Sequence, residues 1–308
     1  MSAGWVAGSV RAAAMARRRL GPAAVRSMAA SPSLAEALGV LDGSPYGSRL
    51  HTEATLAGAQ HAVAATLLWN LRVLAGWLPA TGAEMLRILA GWFEIANVDE
   101  HLRTLVGQPA EPPFRLGTLT TAWPRIAGAA SLAEVRTVLA RSAWGDPGEE
   151  SPRGIGLGMR LSWAARVDAA VAAARPWAGG AAALLAARET FATGRRLPDS
   201  AAATVRRLLG TGWSGAATIG ELAARVGPAA RWAVGGVTDP VDLWRAEARW
   251  WARLRTDGAA ALARSGFGPH RALGAVALLA VDAWQVRAGL ELAARGGQQA
   301  SEVLDAVA

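Results

Sequence analysis

The chain has 308 residues, a formal charge of +8 and no Cys, so it can bury two or three sizeable cores without a disulfide framework, thiolate catalysis or Cys-ligated zinc. All 32 basic residues are Arg, spread along the chain rather than gathered into a tail. Either a GC-rich genome replaces Lys throughout, or an Arg-rich surface faces nucleic acid, anionic lipid or an acidic protein.

Alanine and leucine dominate, and Gly and Pro punctuate periodic stretches, which predicts an all-α fold. A first helix is expected over Gly4 to Arg19 and a second after Gly21. Ser33 with Glu36 is a capping-box pattern, in which each side chain satisfies an amide that the helix start leaves orphaned. Leu34, Ala37, Leu38 and Leu41 then share a face, and 43–47 is a turn. Long helices are predicted over Thr52 to Leu78 and Ala83 to Val106. The longest charge-free stretch, Ala54 to Leu71, contains Gln60, His61 and Asn70 and reads as a buried helix rather than a membrane span. The N-terminus has no compact apolar core with a cleavage site, so no secretory signal is expected.

The proline-rich run 108–113 cannot continue a helix and sets a first boundary. Ser131 with Glu134 then caps a second short helix, followed by an acidic turn at 145–154. Helices are expected over Gly158 to Ala174 and Pro176 to Thr193. A second boundary falls at 194–198, Ser200 caps the next helix, and the last two helices cover Pro240 to Ser265 and Pro269 to Arg295.

The strongest signal is internal repetition. Residues 33–47, SLAEALGVLDGSPYG, align without a gap to 131–145, SLAEVRTVLARSAWG, with eight of fifteen positions identical and Tyr46 opposite Trp144. A weaker copy, TIGELAARV, begins at Thr218. Each copy follows a basic-Leu-Gly step, at Arg19-Leu20-Gly21, Arg115-Leu116-Gly117 and Arg207-Leu208-Leu209-Gly210. Three repeat domains, 1–107, 108–198 and 199–308, are the expected organisation.

Chemical motifs are missing. Gly154, Gly156 and Gly158 have no preceding strand and no following Gly-Lys-Ser/Thr, so they read as a helix lead-in rather than a phosphate cradle. His51, His61, His101 and His270 never occur at i, i+4 spacing, and no metal site or cofactor is expected. Gly212-Trp213-Ser214-Gly215 lacks the nucleophile-elbow pattern. Fourteen Trp stand against one Tyr, and most read as helix seams. Trp244 to Arg255 interleaves Trp with Arg, which suits either single-stranded nucleic acid or an amphipathic helix, the second being favoured because no other unit repeats it.

The repeat resembles the coupling subunit of V-type and A-type rotary ATPases, which goes by the letter d in eukaryotes and C in prokaryotes. Trp5, Arg11 and Arg17 are similar to that family's opening helix, and Leu34, Glu36, Leu41 and Tyr46-Gly47 to its next segment. Glu94, Asn97 and Arg103 are similar to its acidic-Asn-Arg pattern. Phe267-Gly268, Asp282 and Arg287 resemble its closing helix, where Gln285 stands in place of a usual acid. The resemblance implies three helical domains arranged as a funnel on the cytoplasmic face of the membrane. It also implies a non-catalytic link between the central stalk subunits and the proteolipid ring, for proton or sodium transport. Neither a small-molecule substrate nor nucleic acid is implied as partner. Glu94, Asn97, Arg103, Tyr46 and Trp144 are then the family-motif positions, structural or interfacial, with Asn97 and Arg103 expected to be structural and a semi-buried Arg103 to find a carboxylate or helix-end carbonyls. The alternative is a helical-repeat adaptor or regulator that binds nucleic acid or an acidic protein through Arg.

Overall fold

The computed structural model describes residues 3–50 and 55–297. It is all-helical, with 75% helix and no strand among the described residues. Packing gathers the chain into two compact units, 1–83 with 251–308, and 84–250. This grouping follows contacts, and so cuts the chain along other lines than the three sequence repeats.

In the first unit, α1 (Ala3–Arg17), α2 (Pro22–Ala29), α3 (Leu34–Leu41) and α4 (Leu56–Trp77) pack around α15 (Pro269–Ala294). The expected start of α4, Thr52 to Ala54, and His51 lie outside the described residues. The core joins Val25, Met28, Leu38, Leu41, Val63, Val286 and Leu290, so it is built from the two ends of the chain. Buried apolar area of this kind contributes roughly 25 cal/mol per Å². α4 packs inward through Ala59, Val63, Leu68 and Leu71, as its composition implied. Gln60 donates to Glu291 at 3.2 Å and Asn70 to the Thr66 carbonyl at 3.1 Å, so these polar groups are satisfied within the protein. α15 is the one described helix long and apolar enough to cross a membrane, yet 78% of its apolar window is buried against protein.

The predicted helix over Ala83 to Val106 is two helices, α5 (Ala80–Leu89) and α6 (Gly91–Leu105). The break falls where aromatic rings close on the backbone: a Cβ on Gly91 would lie 3.1 Å from Trp144 and 3.2 Å from Trp163. In the second unit α6 is followed by α7 (Trp123–Ile126), α8 (Leu132–Ala140), α9 (Pro152–Ala170) and α10 (Arg175–Ala187). α9 starts six residues before the predicted Gly158, because Ser151 accepts from the Gly154 amide at 2.9 Å and Pro152 occupies a position that needs no amide. Its glycines are contact points: a Cβ on Gly158 would lie 2.7 Å from Pro147.

The rest of this unit is α11 (Asp199–Leu209), α12 (Ile219–Arg225), α13 (Pro228–Val234) and the start of α14 (Leu243–Ala263). α13 is an element that the sequence pattern does not announce. Its approach to α10 depends on small side chains, since a Cβ on Gly180 would meet Trp232 at 2.7 Å. Ser200 does not cap α11. It sits inside the first turn and donates to the Pro147 carbonyl at 2.8 Å, while Pro198 occupies the cap position without a side-chain bond.

Candidate functional site

The caps at the three repeat copies form. Ser33, Ser131 and Thr218 accept from the amides of Glu36, Glu134 and Glu221 at 3.3, 3.2 and 3.1 Å. Glu134 and Glu221 reach back to the amides of Ala130 and Ala217, one residue before the cap rather than the cap amide of a standard capping box. After α3 and α8 the chain turns the same way. The Ser44 and Ser142 hydroxyls each accept, at 3.1 Å, from the amide two residues on, and this fixes Tyr46 and Trp144 pointing inward.

In the first unit the Tyr46 hydroxyl donates to Asp282 on α15 at 2.8 Å. Asp282 also accepts from the Leu20 and Gly21 amides, at 3.1 and 2.8 Å. Gly21 has φ of 82°, a conformation that favours glycine, and it leads directly into Pro22 at the start of α2. The carboxylate is 2% exposed and its two oxygens are held by three donors, which offsets the cost of burial. Burial, and then the adjacent Asp282 charge, push the Tyr46 phenol well above its ordinary value of 10.0.

In the second unit the corresponding carboxylate is Glu94 on α6, 1% exposed. The Trp144 indole donates to it at 2.8 Å, and the Thr121 and Ala122 amides donate at 2.5 and 2.7 Å. The Thr120 hydroxyl completes the set at 3.4 Å. Arg166 lies over the Trp144 ring at 4.7 Å, and burial lowers its guanidinium below the usual range. Both units thus contain a buried carboxylate on a long helix, two consecutive backbone amides at the start of a short helix, and an aromatic donor from the turn after a capped helix.

The basic-Leu-Gly steps are not equivalent in this arrangement. Leu20-Gly21 supplies the two amides in one unit, whereas Thr121-Ala122 does so in the other and Gly117 begins a separate 3-10 turn. The third copy also diverges. At the position of Tyr46 and Trp144 it has Arg231, which donates to the carbonyls of Ala223, Ala224 and Val226 at 3.0 to 3.2 Å.

The sequence pattern at Glu94 and Asn97 now has a physical reason. Glu94, Asn97 and Glu100 fall at i, i+3 and i+6 on one face of α6 and hold the extended chain that follows. Asn97 bonds Phe114 in both directions, donating to its carbonyl at 2.9 Å and accepting from its amide at 2.6 Å. Glu100 accepts from the Glu111 amide at 2.9 Å, and Phe93 meets Phe114 edge-on at 5.3 Å. The proline-rich segment read as a domain boundary is therefore strapped along α6 by side chains that replace its missing helical bonds.

Arg103 is not part of this strap and is not semi-buried. Its side chain is 56% exposed, and its nearest carboxylate is Glu100 at 3.8 Å. The last turn of a helix, pointing outward, leaves it a favourable but weak position against the helix dipole. Asp282 as the partner of Tyr46, and Glu94 as the partner of Trp144, are pairings that only the structure reveals. The repeated Ser two residues before each aromatic was the available signal.

Two Trp and one Arg of α14 have clear partners within the fold. Trp250 donates to the Trp177 carbonyl at 2.9 Å, and Trp251 stacks on Trp284 at 5.2 Å. Arg253 is bonded to Asp257. No group of three or more metal-ligating side chains occurs among the described residues. No family model matches the chain, and no curated protein matches it.

Proposed function

We propose that the chain is a non-catalytic coupling component of a V/A-type rotary ATPase, joining the central stalk to the membrane proteolipid ring at the cytoplasmic face. The observation that carries this reading is the recurrence of one rigid module in both units, Tyr46 on Asp282 and Trp144 on Glu94, each sealed by two backbone amides. The residues of the family resemblance, Tyr46, Glu94, Asn97, Trp144 and Asp282, occupy these modules and the adjoining strap. A torque-bearing connector needs such cross-links, because they tie distant segments of chain together without moving parts. The three-domain funnel belongs to the same proposal.

The alternative, an adaptor or regulator that binds nucleic acid or an acidic protein through its Arg surface, gains no support from α14, where Trp250, Trp251 and Arg253 are engaged within the fold. A pull-down of purified central-stalk proteins by this chain, at low and at high salt, tests the reading. Capture that weakens moderately with salt agrees with Arg side chains that steer association. Failure to capture them at low salt, with tight binding to nucleic acid, would favour the alternative.

A further inference from the structure

Two packed helices of the first unit, α1 and α4, contain no Asp or Glu. They approach closely: a Cβ on Gly8 would lie 3.2 Å from the Trp77 carbonyl oxygen. The outward face of α1 carries Val6, Val10 and Arg17 at steps of four and seven residues, with Val10 58% exposed. α4 exposes Trp69 and Trp77, at 45% and 51%, with Arg72 between them. The two Trp are eight residues apart, roughly 12 Å along the helix. Exposed Trp and Val side chains interleaved with Arg suit an interfacial surface.

We infer that this face docks directly on an anionic lipid bilayer. The charge pattern selects that occupant. Every ionisable side chain of α1 and α4 other than His61 is an Arg, and Arg18 continues the basic edge beyond α1. Valine and tryptophan enter the headgroup boundary while Arg remains at the phosphate level, where Trp is a favoured interfacial residue. An acidic protein partner would match the Arg residues but leave the Val and Trp side chains without an apolar surface of comparable extent. Docking on lipid does not depend on the rotary reading, since it involves no other protein.

The test is flotation of the full-length chain with vesicles of phosphatidylcholine alone, or mixed with phosphatidylglycerol. Binding to the mixed vesicles only, weakened by salt, is expected. Each of Arg17→Gln, Arg18→Gln and Arg72→Gln should lower partitioning about fivefold, the worth of one basic side chain near an anionic surface. Trp69→Ser with Trp77→Ser should abolish it, while Val241→Ser, at an exposed valine of the other unit, should not change it. Unchanged circular dichroism of the exposed-site variants separates lost binding from lost fold. Absence of flotation with mixed vesicles, or equal flotation with both kinds, overturns the inference. Sedimentation as a dimer that Trp69→Ser and Trp77→Ser return to monomer would overturn it in favour of a second copy.

Discussion

Replacing Glu94 by Gln removes one charge and almost no volume, so it isolates what the carboxylate does. One carboxylate oxygen accepts from Ala122 and Trp144, and the other from Thr121 and Thr120. A Gln side chain keeps one oxygen and turns an NH2 group toward the remaining donors. At least two donors then lose their acceptor in a site that is 1% exposed. A buried donor left unsatisfied costs about 1–3 kcal/mol, which predicts a loss of about 2–6 kcal/mol. That is a large part of the ~5–15 kcal/mol that holds a typical domain folded. Trp144→Phe removes the indole donor and the ring edge that packs on Gly91, and should cost about 1–2 kcal/mol for the bond plus a further cavity cost. Urea unfolding followed by far-UV circular dichroism measures both. The double variant should fall short of the sum, because the two residues share one bond. A Glu94→Gln protein within about 0.5 kcal/mol of the parent would show that the carboxylate does not organise this unit.

Tyr46 is the only Tyr, so absorbance titration reports it alone. Its raised phenol means that no tyrosinate forms near pH 10.0 while the chain is folded. The folded state binds the proton more tightly than the unfolded state, so this contribution to stability is full below pH 10.0 and is lost as pH rises further. Asp146, bonded to Arg136 at 2.8 Å and to the Gly148 amide, is held at about 2 against an ordinary 3.8. Its stabilisation is present above pH 3.8 and is lost as pH falls toward 2, and Arg136→Gln should move the carboxyl upward in an NMR titration. Gly274→Ala should cost about 1–3 kcal/mol or more in thermal unfolding, because its Cβ would meet the Gly258 carbonyl at 2.6 Å and the Leu262 amide at 2.8 Å, both backbone.

The parts of this fold that local chemistry specifies were legible. Ser33, Ser131 and Thr218 cap helices because a hydroxyl and a Glu three residues on form a self-contained unit. The apolar stripe Ala37, Leu38 and Leu41 is buried as its spacing required. What remained hidden depends on tertiary partners. Nothing near Tyr46 in sequence announces Asp282, 236 residues away, and nothing near Gly91 announces the two rings that pack against it at the helix break. Ser200 has the type of a cap but is drawn to the Pro147 carbonyl, and Arg103 has the type of a buried partner but faces solvent. Asn97 shows both sides. Its pattern with Glu94 was visible, while its purpose emerged only when the proline-rich chain was seen strapped to α6.

The coupling role is tested most directly by purifying the tagged chain from its own host membranes under mild detergent and identifying the proteins that travel with it. Central-stalk proteins and the proteolipid of a rotary ATPase are expected in a fixed ratio to the chain. Recovery of the folded chain with nucleic acid and without any rotary ATPase component would contradict it.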